Sequence, residues 1–373
     1  IHNYIRYSGD EAYLADCGLE VLVGIARFWA PRITWSEARQ KYVLLGVTGP
    51  NEYENNVNNN WYTSYIGCWS MRYAARAAAW VRENRPADYA RICAKRAFDE
   101  AAETTAWLRI ADNMYFGEDP ERGIFLQQDG YLDKEQTLVR DLDPDQRPIN
   151  QKWSWDRILR SCFIKQADVL MFMLLFNSQF TPEVLRSNYE FYEPRCIHES
   201  SLSPSVHSIL ASQLGNKEEA FAFFKFATRM DLDNYNRNSG EGLHTTSIAA
   251  AWMNIVYGFG GLRADGDMLT LAPSIPKQWE GYRFHIVYLD EIICVEVRKG
   301  QTEIYTLHGG QIVLGIYGKI TMIDGKKQVF VMPGKDYWKN SGRASESAMN
   351  AIQPPMVSMM VFFTSWSPFC ILK

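Results

Sequence analysis

One change of pattern divides the chain. From Asp10 to Tyr257 apolar residues recur at helical spacing in one segment after another, with no alternating strand pattern between them. After Gly258-Phe259-Gly260-Gly261 the period shortens to two and β-branched residues take over. A chain with these two periods in succession folds as a mainly α region followed by a small β region. Helices are predicted over Asp10–Trp29, Ser36–Lys41, Ser64–Glu83, Ala87–Ala111, Asp156–Phe176, Pro182–Glu190, Ser203–Leu214, Lys217–Arg229 and His244–Tyr257. Pro86 suits a first helical position, and Gly215 and Gly258 suit left-handed caps. Strands are predicted over Arg283–Leu289, Ile292–Arg298, Gln301–Leu307, Gln311–Tyr317, Lys319–Ile323 and Gln328–Val331, with Asp324-Gly325 as a hairpin signal. The expected division is a helical domain over 1–260, an antiparallel β-sandwich over 261–335 and an irregular tail over 336–373. The apolar stretch Met356–Leu372 in that tail is interrupted by Ser, Thr, Trp and Pro and is short for a membrane span.

The stretch Leu45–Tyr62 has neither period and reads as an ordered loop. It holds six Asn, two Glu and three aromatic rings. Amides and carboxylates bond sugar hydroxyls, rings cover apolar sugar faces, and a carboxylate on such a loop is a candidate general acid. Glu52 and Glu54 are both candidates, and an Asn-rich surface turn is the plain alternative. The segment from Asp112 to Gln151 is long and irregular. Its Ile124–Tyr131 stretch is apolar enough to be packed, and Asp141–Pro148 is polar enough to be exposed.

Three further groups of residues stand out. Lys165 and Gln166 fall in a predicted helix that is apolar nearly all round. A lysine there needs a partner, either Asp168 three residues on or a ligand hydroxyl. Ser203 and Pro204 suit a helix N-cap and first position, after His198-Glu199-Ser200-Ser201. Gly240–Ser247 is a glycine-containing turn entering a helix, where backbone N–H groups, His244, Thr245 and Thr246 make either an anion site or an ordinary capped helix.

Composition narrows the function class. Hydrophobic residues make up 47% and aromatic residues 14%, enough for a sizeable core, and twelve Trp with twenty Tyr exceed what a core needs and suit a carbohydrate cleft, with plain packing as the alternative for most of them. A net charge of −4 without a basic run argues against nucleic acid. Seven Cys, widely spaced and without a CxxC pair, point to thiols of a cytoplasmic protein rather than disulfides or zinc. No signal peptide and no membrane-spanning run is recognisable.

Gly49-Pro50-Asn51-Glu52-Tyr53-Glu54-Asn55 through Asn60-Trp61-Tyr62-Thr63 resembles the signature loop of the glycoside hydrolase family 65 disaccharide phosphorylases. The resemblance runs from about Tyr13 to Leu271. It implies the later part of an (α/α)6 barrel followed by the family's C-terminal β-sandwich. The family's N-terminal β-sandwich, its early barrel helices and a sugar-binding Trp-Asp pair have no counterpart in these residues. The implied reaction is inverting phosphorolysis of an α-glucosyl disaccharide, with maltose plus phosphate giving β-glucose 1-phosphate and glucose. Trehalose, kojibiose or nigerose phosphorolysis, or hydrolysis, are alternatives within the family. A catalytically inactive carbohydrate-binding fragment is the alternative of another class. The resemblance assigns the general acid to Glu52, with Asn51 where the family usually has Asp. It assigns sugar binding to Lys165, Gln166 and Glu199, and phosphate to His244, Thr245 and Thr246. It implies a disaccharide and phosphate as partners, a possible homodimer, no metal and no cofactor beyond phosphate as co-substrate.

Overall fold

The computed structural model describes residues 1–334 other than 236 and 238, together with Tyr337; the side chain of Glu241 and most of the expected tail over 336–373 lie outside the described residues. Among the described residues twelve α-helices precede the two C-terminal sheets: α1 (His2–Ser8), α2 (Leu19–Arg32), α3 (Trp61–Asn84), α4 (Pro86–Arg96), α5 (Glu100–Asp112), α6 (Ile149–Lys152), α7 (Trp155–Arg160), α8 (Asp168–Leu175), α9 (Pro182–Tyr192), α10 (Ser203–Gln213), α11 (Lys217–Arg229) and α12 (Thr245–Met253). The longest, α3, is the spine. Its buried Ala74, Ala77 and Ala78 let neighbours approach closely, and α2 and α5 pack along it through Leu19, Leu22, Ala26, Trp107 and Ile110. A second core gathers α8, α9 and α10 around Trp61, Tyr131, Phe172, Tyr192 and Leu210. Among the described residues no helix is long and apolar enough to cross a membrane.

Several predicted elements divide or move. Ser36–Lys41 is not helical; β1 (Thr34–Ser36) and β2 (Lys41–Val43) pair across a turn there. The predicted helix over 87–111 is two helices. Ala97 takes a left-handed conformation at φ 46° and Asp99 caps α5 by accepting from Ala102 N at 3.0 Å. The predicted helix over 156–176 breaks between α7 and α8, so Lys165 and Gln166 lie on an extended turn. Its N–H groups bond elsewhere: Cys162 N to Glu135 O at 3.0 Å and Ile164 N to Arg195 O at 3.1 Å. The run is buried on several sides because chain lies on several sides of it, and periodicity cannot separate that from a buried helix. As expected, Ile124 and Tyr131 are buried; Phe125 sits in the short pair formed by β3 (Glu118–Asp119) and β4 (Ile124–Phe125). Gly215 is left-handed, but Gly258 lies inside a π-helical turn and Gly261 takes the left-handed role, at φ 62°.

After Gly261 come β5 (Thr270–Leu271), β6 (Gly281–Tyr288), β7 (Glu291–Arg298), β8 (Gln301–Thr306), β9 (Ile312–Ile316), β10 (Lys319–Ile323) and β11 (Gln328–Val331). They form a four-stranded antiparallel sheet, β11-β8-β7-β6, and a three-stranded sheet, β10-β9-β5. Phe284, Ile286, Val295, Val297 and Ile304 of one meet Leu271, Leu314 and Ile316 of the other. One pair, β5 with β9, is parallel. The β6–β7 and β9–β10 hairpins close on Leu289-Asp290 and Tyr317-Gly318, each with positive φ at both residues. Asp324-Gly325 is not a hairpin. It carries the chain between the two sheets, since β10 pairs β9 while β11 pairs β8. α1 ties back to this region through Leu289 N to Tyr7 O, 2.7 Å, and Arg6 Nε to Ala264 O, 2.9 Å.

Asp99→Ala removes the α5 cap. Urea denaturation followed by circular dichroism should show a loss of about 1 kcal/mol, and an unchanged midpoint would deny the cap its role.

Candidate active site

The loop expected over 45–62 is ordered by its own asparagines. Val47 and Val57 exchange backbone bonds at 2.9 and 2.8 Å and close its base. Asn58 Oδ1 accepts from Gly46 N at 3.0 Å, Asn59 Oδ1 accepts from Leu44 N at 3.0 Å, and Asn60 Oδ1 caps α3 by accepting from Thr63 N at 2.9 Å. Asn56 and Asn59 take positive φ, which Asn tolerates better than most residues. These amides serve the backbone, where the sequence also allowed them to serve a sugar.

The 161–167 turn grips the tip of this loop. Asn51 Oδ1 accepts from Lys165 N at 2.8 Å, and Gln166 Nε2 donates to Pro50 O. The Lys165 ammonium pairs with the Glu52 carboxylate, whose side chain is 62% exposed. Asp168 is therefore not the partner of Lys165. Its carboxylate is wholly buried and accepts from Asn51 N at 2.6 Å and Asn60 Nδ2 at 2.7 Å. Gly49 lies directly over it: an added Cβ would fall well inside contact with Asp168 Oδ2 and Asn60 Nδ2. Burial pushes the Asp168 carboxyl up to about 7, and the hydrogen bonds from Asn60 and Asn51 oppose this without cancelling it.

Glu199 meets the same loop from the other side. It accepts from the Tyr53 hydroxyl and from Ile149 N at 3.0 Å, and Arg147 Nε lies 3.7 Å from it. Burial raises its pKa. Glu54, the rival acid, is buried, accepting from Gln128 Nε2 at 2.9 Å and pairing with Lys134, so it is committed to the fold. Glu52 is the exposed carboxylate of the two.

His244 precedes α12, with Thr245 and Thr246 exposed in its first turn. An acidic residue also reaches this turn, from the end of α11: Asp231 accepts from His244 N at 2.9 Å and lies 2.5 Å from His244 Nδ1. The Asp231 carboxyl is held below its usual range, first by its bond to the His244 side chain. Arg147 also donates to Ile197 O at 2.6 Å and to Tyr235 Oη at 2.9 Å, and Tyr235 lies four residues past Asp231 in the chain.

Ser203 does not cap α10. Its hydroxyl lies 2.8 Å from His198 Nδ1 and 3.0 Å from Cys196 Sγ. Cys196, His198 and His207, all buried, bring their donor atoms within 4.8 Å of one another and could hold a metal ion. No familiar ligand spacing marked them in the sequence. Arg147, Tyr53, Asp231 and the clamp by Asp168 were also missed. The signals available were the length of the 112–151 segment and an Asp beside the Lys-Gln pair.

Glu52, Lys165, Gln166 and Glu199 thus converge on one short loop, held by the helical region. Residues 1–253 match the glycosyl hydrolase family 65 central catalytic domain, and residues 262–321 match its C-terminal domain. The chain belongs to glycosyl hydrolase family 65. It is 44% identical over 327 residues to a maltose phosphorylase of Bacillus subtilis, covering 87% of this chain and 42% of that one. An α,α-trehalose phosphorylase of Thermoanaerobacter brockii is 35% identical over 87% of this chain and 42% of its own. A solved structure described as a putative kojibiose phosphorylase from human microbiome superposes with TM-score 0.81 at 37% identity, over 88% of this chain and 45% of that one. The chain spans less than half the length of these relatives. The family's pattern of helices followed by antiparallel strands is the one described above.

Asp168 makes stability depend on pH in a known direction. Its folded pKa is raised, so the stability it contributes is full below about 4, its ordinary range, and is lost as pH rises towards about 7. Glu54 adds to the rise, and Tyr62 and Tyr192 also face the carboxyl. Urea midpoints of the wild type should gain on those of Asp168→Asn as pH falls from about 8 to about 4. A constant gap would contradict the raised pKa.

Proposed function

We propose that this chain carries the general acid and donor-sugar groups of an inverting disaccharide phosphorylase, with maltose as its substrate. A phosphate oxygen attacks C1 of the donor glucose on the face opposite the leaving group. The C1–O bond breaks with its electron pair going to the departing oxygen, which takes the Glu52 proton. The phosphate hydroxyl supplies the proton that resets Glu52, so maltose and hydrogen phosphate yield β-glucose 1-phosphate and glucose. Lys165 and Gln166 hold the donor hydroxyls, Glu199 lines the same side, and the His244, Thr245 and Thr246 turn takes phosphate.

The observation that carries this reading is the exposed Glu52 carboxylate, on a loop fixed from beneath and paired with Lys165. Donor glucose, by drawing Lys165 to its hydroxyls, opens the Glu52 carboxyl to the departing oxygen. Identity to maltose phosphorylase favours maltose, while the trehalose and kojibiose relatives keep those donors as alternatives. A sugar-binding segment without turnover is the reading of another class. Asp231 orients the His244 ring, and the exposed Thr245 and Thr246 beside it offer hydroxyls to a phosphate. Among the described residues no cysteine takes part in a disulfide, in keeping with a cytoplasmic protein.

Joined to the N-terminal part of the Bacillus subtilis relative, the chain should release glucose from maltose only with phosphate present. Glu52→Gln should lower kcat on the order of 10²- to 10⁴-fold and leave KM little changed. Release indifferent to phosphate points to a hydrolase, and unchanged turnover in Glu52→Gln removes the acid assignment. Maltose binding without turnover in either protein supports the binding segment.

A further inference from the structure

We propose that Asp168 is a positioning residue for proton transfer, acting through the Asn51 backbone to aim Glu52 at the departing oxygen. This rests on the reading of Glu52 as the acid. Asp168 touches none of the reacting groups, and its carboxylate lies beneath the loop rather than in it. Two donors converge on it: the N–H of Asn51, immediately before Glu52, and the Asn60 amide at the start of α3. Each carboxylate oxygen accepts one of them, at 2.6 and 2.7 Å. Ionised, as it is above about 7, the carboxyl is an acceptor-only group that suits two converging donors, and hydrogen bonds to a charged acceptor are the stronger kind.

The clamp reaches both neighbours of Glu52. Asn51 Oδ1, fixed by the Lys165 N–H at 2.8 Å, also accepts from Tyr53 N at 3.3 Å. Asn51 O accepts from Glu54 N at 3.3 Å, closing a tight turn around residue 52. Asn51 and Tyr53 are buried while Glu52 is exposed. The peptide framework of the acid is therefore set from inside the protein, and only its side chain is left to move. Gly49 is the complement of this arrangement: the loop passes so close to the carboxylate that no side chain fits between them. A displacement of about 1 Å at a reacting group can cost on the order of a hundredfold in rate.

A donor whose leaving group needs no proton separates aiming an acid from holding the fold. With α-glucosyl fluoride, phosphate attacks C1, the C–F bond breaks, fluoride leaves as the anion, and the phosphate proton goes to solvent. Asp168→Asn, Asp168→Ala and Glu52→Gln are compared on maltose and on α-glucosyl fluoride, in the chain joined to the N-terminal part of the Bacillus subtilis relative. Asp168→Asn should lower kcat on maltose about ten- to a hundredfold with KM little changed. Asp168→Ala should lower it further, and both should keep near wild-type rates on the fluoride, as Glu52→Gln should. Equal losses on both donors in the Asp168 variants, with Glu52→Gln sparing the fluoride, would overturn the proposal and leave the acid assignment standing. Equal losses in Glu52→Gln itself would overturn the acid assignment, and the proposal with it. Amide hydrogen exchange on the chain as it stands gives a readout without turnover. Asn51 N–H should exchange at least about tenfold faster in Asp168→Ala while α3 and the sheets keep their protection. Unchanged exchange at Asn51 would overturn the clamp.

Discussion

A carboxylate removed from water must find hydrogen-bond donors or lose its charge. Asp168 is wholly buried and finds two, one in the backbone beside Glu52 and one at the start of the longest helix. That choice of partners ties both the tip of one loop and its far end, the N-terminus of α3, to the turn into α8, 117 and 108 residues away in sequence. The rest of the candidate site depends on that junction. Lys165 and Gln166 reach the loop because the residues before Asp168 are held extended, and Gly49 is glycine because the carboxylate leaves no room above it.

Around the junction the molecule divides its work between rigid support and exposed chemistry. The cores beneath α3 and α8 are built of Ala, Phe, Trp and Leu and hold the loop base. Glu199 braces the opposite flank through Tyr53, and Arg147 beside it reaches Tyr235. The exposed groups, Glu52, Thr245 and Thr246, are those a sugar or phosphate could reach. The sheets stand apart from this chemistry and tie to α1.

The two-part architecture was legible because it rests on periodicity, which two packed layers impose on any sequence. Strand order was less so. Asp324-Gly325 has hairpin chemistry, yet the core between the sheets draws β10 and β11 to different partners. The loop over 45–62 was legible as a loop and not as a network, because an Asn that serves a backbone reads the same as one that serves a ligand. Lys165 was misplaced on a helix for a related reason: Cys162, Phe163 and Ile164 are buried by neighbouring chain, and burial on all sides erases the period. Arg147 and Asp231 act through tertiary contacts that no local pattern announces. Residues tied to the family's motif, Glu52 foremost, were placed by that resemblance, and the fold adds the reason Glu52 and not Glu54 faces outward.

The stereochemistry of the product tests the central claim most directly. Phosphorus and proton nuclear magnetic resonance, followed during turnover of maltose and phosphate by the chain joined to the N-terminal part of its relative, reads the anomer of the sugar phosphate, which does not mutarotate. In-line attack opposite a proton donated by Glu52 gives β-glucose 1-phosphate in step with free glucose. The α anomer, or glucose formed without any sugar phosphate, would contradict it.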